Sequence, residues 1–412
     1  MKIVLLHYSA PPVVGGVETV IANQALQLAR AGHNVRILAG RGETWDARTP
    51  VEILPRLDVR HPANLKVKTG LDDGTVPEAF QPLVQQVQAD LQRALAGADV
   101  VIAHNVASLN KNLALTAALH NLSQGGQIRK LILWHHDLAW MTQRYQNELH
   151  PGWPWDLLRT PWPGARQVAV SEVRREELAG LMGIPLTAIA VVPAGLDMAR
   201  FLGLQIRTQG LLDQFQLFLA SPILLMPVRL ARRKNIELAF ETMAVLHREL
   251  PRAALIITGT CNSAEYLERL LKLRAELGLE GVVRLVAEFS PDGLPEDCLA
   301  DFYRVADALL LTSREEGFGL PILEAGLSRL PIFCTDLPAL RDLAGHCANF
   351  FAPDDEPKYI ARLITKTLKT DPVYRLRVRV RQEYVWQSIY LRCLAPLLEE
   401  SPQISWMDAD KK

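Results

Sequence analysis

Short runs of residues that are apolar throughout alternate along this chain with longer stretches in which apolar positions recur every three or four residues. In the first half the runs fall at residues 3–6, 35–38, 100–103, 131–134, 168–170 and 190–192, and residues 17–31 are a clear case of the longer, amphipathic type. A strand with one wet face alternates apolar and polar positions. A run without alternation, separated from the next by a helical stretch, predicts a parallel strand covered on both faces. The alternation restarts near residue 222, with runs at 223–226, 254–257, 282–286, 308–311 and 331–334. Two such series in succession predict an α/β protein of two doubly wound Rossmann-like domains facing across a cleft, with ligands at the carboxyl ends of the strands. The expected domains are residues 1–198 and 199–383. The boundary follows the turn residues of Val191-Val192-Pro193-Ala194-Gly195-Leu196-Asp197, and residues 199–221 read as the linker and the start of the second domain.

Composition narrows the function without choosing it. The chain has 412 residues, too many for one ordinary core. Lys plus Arg and Asp plus Glu both number 45, so no net field draws it to nucleic acid, and any anion must be held by local charge. The five cysteines, Cys261, Cys298, Cys334, Cys347 and Cys393, are scattered without CxxC spacing. That pattern fits a reduced cytoplasmic protein and argues against a zinc site or a disulfide framework. The first apolar run is only about six residues long and leads into Pro11-Pro12 and Gly15-Gly16, so it reads as a first strand and not as a signal segment. No apolar run of about 18 residues is present, so no transmembrane segment is expected, while peripheral membrane contact stays open.

Candidate chemistry gathers after the strands. Gly15-Gly16 precedes the first amphipathic stretch, and adjacent glycines at a helix N-terminus let the backbone approach a bulky anion. The turn lacks the third glycine of the dinucleotide fingerprint, and the second strand ends Leu38-Ala39-Gly40-Arg41 without an acidic residue for a ribose, which disfavours a nicotinamide site. In the second series, Arg229 follows the first strand and Lys234 stands at the expected start of a helix. Cations there oppose the helix dipole, which points to an anionic ligand; Arg supplies a planar fork and Lys a point charge for a diphosphate. Arg232 and Arg233 read as solvated. After the fourth strand comes Glu316-Gly317-Phe318-Gly319-Leu320-Pro321, with Glu324 one turn into the following helix. Loop amides of Gly317, Phe318, Gly319 and Leu320 can cradle a phosphate or a sugar oxygen, and the two carboxylates can accept from sugar and ribose hydroxyls. In the first series the strand at 131–134 ends His135-His136-Asp137. Adjacent residues of an extended chain point to opposite faces, so one of the two histidines reaches the site. No metal ligand set has a recognisable spacing. The stretch 134–162 carries five of the eight tryptophans and reads equally as a packed loop or an acceptor surface. Arg375, Arg377, Arg379 and Arg381 read as a solvated helix face.

Together these residues resemble family 4 of the retaining GT-B glycosyltransferases. The resemblance runs over most of the chain: Gly15-Gly16, Ala31-Gly32-His33-Asn34-Val35, His136-Asp137, residues 192–197, Arg229, Lys234, and the glutamates Glu316 and Glu324 spaced as in the family's EX7E motif. It implies that Gly15 and Gly16 approach the diphosphate, that Arg229 and Lys234 bind it, that Glu316 touches the donor sugar and Glu324 holds the ribose. It places His136, chosen over His135 because Asp137 follows it, beside the transferring sugar. It implies a final helix at about 384–412 crossing back onto the first domain. Three positions depart from the family pattern: Val228 and Glu288 stand where glycine is common, and Thr258-Gly259-Thr260 has one glycine in place of two. The implied activity is transfer of a sugar from a UDP-, GDP- or ADP-sugar to a hydroxyl acceptor (glycan, lipid or small polyol) with retention, with no cofactor and no essential metal. The alternatives are a nucleotide-sugar epimerase and a degenerate nucleotide-sugar-binding protein.

Overall fold

The computed structural model describes residues 1–399, and the chain divides into two compact units. One is Met1–Leu196 together with the segment from Tyr384 onward, and the other is Asp197–Glu383. The first holds a seven-stranded sheet: β1 (Lys2–His7), β2 (Asn34–Ala39), β3 (Val51–Ile53), β4 (Val100–His104), β5 (Leu131–His135), β6 (Ala165–Ala169) and β7 (Ile189–Val191), in the order β3-β2-β1-β4-β5-β6-β7. The second holds six strands: β8 (Ile223–Met226), β9 (Ala254–Ile257), β10 (Val283–Leu285), β11 (Ala308–Leu311), β12 (Ile332–Thr335) and β13 (Asn349–Phe351), in the order β10-β9-β8-β11-β12-β13. Every pairing in both sheets is parallel. The winding reverses between β1 and β4 in one sheet and between β8 and β11 in the other, and in open sheets of this kind ligands bind beside the carboxyl ends of the strands at such a reversal.

The runs at 223–226, 254–257 and 308–311 coincide with β8, β9 and β11. Two strands have no counterpart in the sequence reading. Both β3 and β13 are three residues long, lie at a sheet edge and are only partly covered, so they carry no unbroken apolar run. Residues 199–221 are the start of the second unit throughout, with no separate linker among them. Asp197 caps the helix Met198–Leu202 by accepting from the Arg200 amide at 3.0 Å, and Thr208, Leu211 and Leu212 of the helix Ile206–Gln214 are buried. Met198, Ala199 and Leu202 pack against the second core, whereas Leu196 bridges Val385 of the first unit, which sets the division one residue before Asp197.

The returning segment is held by both backbone and core. Leu196 donates to Tyr384 O at 2.7 Å, Trp386 donates to Leu196 O at 3.2 Å, and Trp386, Ile389, Leu394, Leu397 and Leu398 share a buried cluster with Ile3, Leu5 and Trp134. Lys130 Nζ donates to Leu397 O and Leu398 O at 2.9 Å each, satisfying carbonyls of the helix Ala395–Glu399. The remainder of the expected final helix, 400–412, lies outside the described residues. The tryptophan-rich stretch is largely packed loop: Trp134, Trp155 and Trp162 are buried, Trp140 lies under the Arg159 guanidinium, and Trp153 is half exposed.

The arginine run is not a solvated face. Arg375 and Arg379 are exposed, but Arg377 and Arg381, one turn apart, both reach the fully buried Asp307. Asp307 also accepts the Ile223 amide at 2.8 Å, so one carboxylate ties the segment Pro372–Arg379 and its continuation to the first residue of β8. Removing one partner of a buried ion pair leaves a charge without compensation. Asp307→Ala is therefore expected to lower the unfolding free energy by about 3–5 kcal/mol in urea denaturation; a loss under about 1 kcal/mol would contradict this role.

Candidate active site

In the second unit the adjacency of β8 and β11 decides which side chains meet. The loops leaving these two strands are stitched together: the Thr312 hydroxyl donates to Lys234 O at 3.0 Å and Asn235 O at 2.8 Å, and the Arg314 amide donates to Arg233 O at 2.8 Å. Thr335 at the end of β12 adds a bond to Ser313 O at 2.7 Å. This brings Lys234 Nζ to 2.5 Å from Glu316 Oε2, with 7% and 11% of the two side chains exposed. Lys234 does not open the helix as expected. It ends a 3-10 turn, Arg232–Lys234, and Asn235 in the left-handed region at φ 49° starts the helix Ile236–Glu249. Arg229 is exposed, with no ion pair among the described residues. The anticipated twin cation is thus one loose arginine and one lysine already matched by a carboxylate. Arg232 is solvent-facing, as expected, above the Tyr266 ring.

The loop after Glu316 turns through Gly319, whose φ of +102° suits glycine, and a Cβ there would lie 2.6 Å from Leu340 Cδ2. No side chain caps the helix Leu320–Leu327 that follows; Pro321 in its first turn has no amide hydrogen, and the Ile322 amide donates to Gly319 O at 2.9 Å. Gly317, Phe318 and Leu320 are exposed. Glu324 accepts from the Tyr303 hydroxyl through Oε2. Burial, and next the Glu324 carboxylate, push the Tyr303 hydroxyl far above its usual pKa, so it stays a donor. The departures from the family pattern have local explanations. A Cβ at Gly259 would sit 2.0 Å from Val228 O, so that glycine admits the crossing of the 228–230 backbone. Glu288 pairs with Arg274 through two bonds of 2.6 and 2.9 Å.

In the first unit Gly15 precedes the helix Gly16–Arg30, again without a side-chain cap. The Glu18 carboxylate folds back over Gly15, accepts from Ser9 Oγ at 2.6 Å and lies 3.9 Å from His7 Nε2. The neighbouring strands β1, β4 and β5 end in His7, His104 and His135. His7 Nδ1 donates to His104 O at 2.8 Å, and His104 Nδ1 lies 3.0 Å from His136 Nε2. The two adjacent histidines diverge as the extended chain requires. His135 turns into the sheet and bonds Gln167 Oε1 at 2.8 Å, whereas His136 keeps partial exposure. Asn105, in the left-handed region at φ 58°, accepts the amides of His136 at 2.8 Å and Asp137 at 3.3 Å and so fixes the turn. His7, His104, Asn105, Glu18 and Tyr303 were not singled out in the sequence. The first three had the signal already used for His136, a polar residue closing an apolar strand.

Burial holds these imidazoles neutral: His7 and His135 are lowered to about 4, His136 to about 3, and His104 well below its ordinary value. The unfolded chain binds these protons near pH 6.5 and the folded chain only near 4 or below, so stability is full above about 6.5 and declines as pH falls toward 4. His135→Gln is expected to flatten that decline by up to about 1.4 kcal/mol per pH unit in denaturant titrations; an unchanged slope would contradict it.

Comparison with known proteins fits this division. Residues 14–200 match the family model described as Glycosyltransferase Family 4, and residues 212–383 match that described as Glycosyl transferases group 1. Among curated relatives, a mannosylglucosylglycerate synthase of Petrotoga mobilis is 26% identical over 59% of this chain and 60% of its own length. A D-inositol 3-phosphate glycosyltransferase of Kineococcus radiotolerans is 26% identical over 89% of this chain and 85% of its own. Among solved structures, Anabaena HepE in complex with UDP and glucose aligns over 97% of this chain and 99% of its own at 19% identity, with a TM-score of 0.38. With one family model over each half, the chain belongs to the GT-B glycosyltransferases of the group 1 and family 4 type.

Proposed function

We propose that this protein transfers a glycosyl unit from a nucleoside diphosphate sugar to a hydroxyl acceptor with retention at the anomeric carbon. The observation that carries the reading is the ion pair of Lys234 with Glu316 at the carboxyl ends of β8 and β11, with Arg229 and Glu324 following the same two strands. Arg229, Lys234 and the uncapped loop and helix amides meet the charge that develops on the departing diphosphate, as a preorganised electrostatic environment. Glu316 accepts from donor-sugar hydroxyls. Tyr303 occupies Glu324 Oε2, leaving the other carboxylate oxygen for ribose hydroxyls. Within the first unit, Gly15 and Gly16 at a helix start suit a phosphate group, and the partly exposed His136 suits a sugar hydroxyl. The bond from the anomeric carbon to the phosphate oxygen breaks as the acceptor oxygen bonds to that carbon on the same face. The acceptor proton passes to the leaving phosphate oxygen. The cationic side chains fill the role a divalent ion has in other transferases, so turnover requires no metal. The names of the relatives favour small polyols as acceptors. Five cysteines without a disulfide support a reducing, cytoplasmic setting.

The reading is tested with UDP-, GDP- and ADP-sugars, first by thermal shift, which ranks donors by affinity. The best donor is then incubated with polyol, glycan and lipid acceptors in excess chelator. A product of unchanged anomeric configuration is expected; epimerised donor without acceptor, or binding without any turnover, would overturn the reading. Lys234→Ala is expected to lower turnover by about 100-fold or more. Because it also strands the Glu316 carboxylate, it destabilises the second unit, and Lys234→Ala/Glu316→Gln recovers most of the stability but not the turnover. Near-wild-type rates in either variant would remove Lys234 from the mechanism.

A further inference from the structure

The 3.0 Å contact between His104 Nδ1 and His136 Nε2 holds one proton between two ring nitrogens, and its owner determines what His136 offers at the surface. The backbone and the ring of His136 are each fixed from one side, by Asn105 at the amide and by His104 at Nε2. The remaining nitrogen, Nδ1, has no hydrogen bond among the described residues, and the side chain is only partly buried.

Two arrangements satisfy the contact. In one, His104 carries its proton on Nδ1 and donates; His136 then has a bare Nε2 and an outward Nδ1–H. In the other, His136 donates from Nε2 and presents a bare Nδ1, while His104 carries its proton on Nε2. That atom is fully buried and has no partner, so the second arrangement strands an N–H in the core, whereas the first strands only a lone pair. Orphaned buried N–H groups are the rarer and costlier defect. Trp134, whose indole N–H is itself buried without a partner, has its ring 5.3 Å from that of His104, so a second unpaired N–H there would compound the cost. His7 follows the same logic: its Nδ1 faces the His104 carbonyl, which can only accept.

We propose that His104 is a positioning residue that locks His136 in the Nδ1–H tautomer, making His136 a fixed hydrogen-bond donor and not a base. The lock is a property of the first unit alone; its use, donation to an oxygen of the transferring sugar, rests on the function proposed above. It agrees with a mechanism in which the leaving phosphate takes the acceptor proton, because no second base is then required. The burial that keeps both rings neutral keeps the single shared proton in place.

The test is nitrogen-15 NMR of the intact protein labelled at histidine, with the His136 signals identified by their loss in His136→Gln. The expected wild-type spectrum has His136 protonated on Nδ1 at neutral pH. His104→Phe should release it toward the Nε2–H form that free histidine favours. His104→Asn, whose amide can occupy the Nδ1 position, should restore the Nδ1–H form. With the donor identified, His104→Phe should lower kcat about tenfold with donor KM within about threefold, and His104→Asn should recover most of the loss. An Nε2-protonated His136 in the wild type, or a tautomer indifferent to His104→Phe, overturns the proposal. The wild-type spectrum decides the proton's place whether or not a variant folds. If His136→Gln transfers sugar at the wild-type rate, the functional reading of His136 fails while the spectroscopic result stands.

Discussion

Much of the second unit's chemistry depends on one hydroxyl. Thr312 leaves the end of β11 and bonds two successive carbonyls, those of Lys234 and Asn235, across the point where the sheet reverses its winding. Parallel strands that are neighbours in space are far apart in sequence, so their loops have no local reason to stay together. Thr312 supplies one, and it is fully buried, where a hydrogen bond is not diluted by water. The ion pair of Lys234 with Glu316, the Gly319 turn and the placement of Glu324 all lie downstream of that junction.

The first unit solves a comparable problem with different chemistry. Three neighbouring strands end in histidine: His7 bonds the His104 carbonyl, the His104 ring meets that of His136 just beyond β5, and the Glu18 carboxylate stands 3.9 Å from His7 Nε2. Burial then works in favour of order. A neutral imidazole has one donor and one acceptor, so a chain of them has few ways to arrange its protons, whereas charged rings would repel and admit water. The asparagine that breaks the backbone into the left-handed region, Asn105, is the same residue that caps the turn carrying His136.

Sequence reasoning found the strands that are covered on both faces, because unbroken apolar runs record that burial directly. It missed β3 and β13, where an edge position removes the need for such a run. It read residues 199–221 partly as a linker because their apolar positions are spread over two short helices. It singled out Lys234, Glu316 and Glu324 by residue type and placement. It could not find that Lys234 and Glu316 satisfy each other, since that depends on a contact between residues 82 positions apart. Tyr303 carried no signal, being one more aromatic at the end of an amphipathic helix. The arginine run misled for a simpler reason: residues two apart suggest alternating exposure, while Arg377 and Arg381 lie one helical turn apart and share a side.

The pairing of Lys234 with Glu316 gives the second unit an electrical character that a list of its charges would not suggest. With those two matched and nearly buried, the other basic side chains on the loops after β8 and β11, Arg229, Arg232, Arg233 and Arg314, are all exposed. On the function proposed above, a donor that brings a diphosphate for the lysine together with hydroxyls for the glutamate replaces the internal contact with two external ones, and the pairing then favours the composite molecule over its parts.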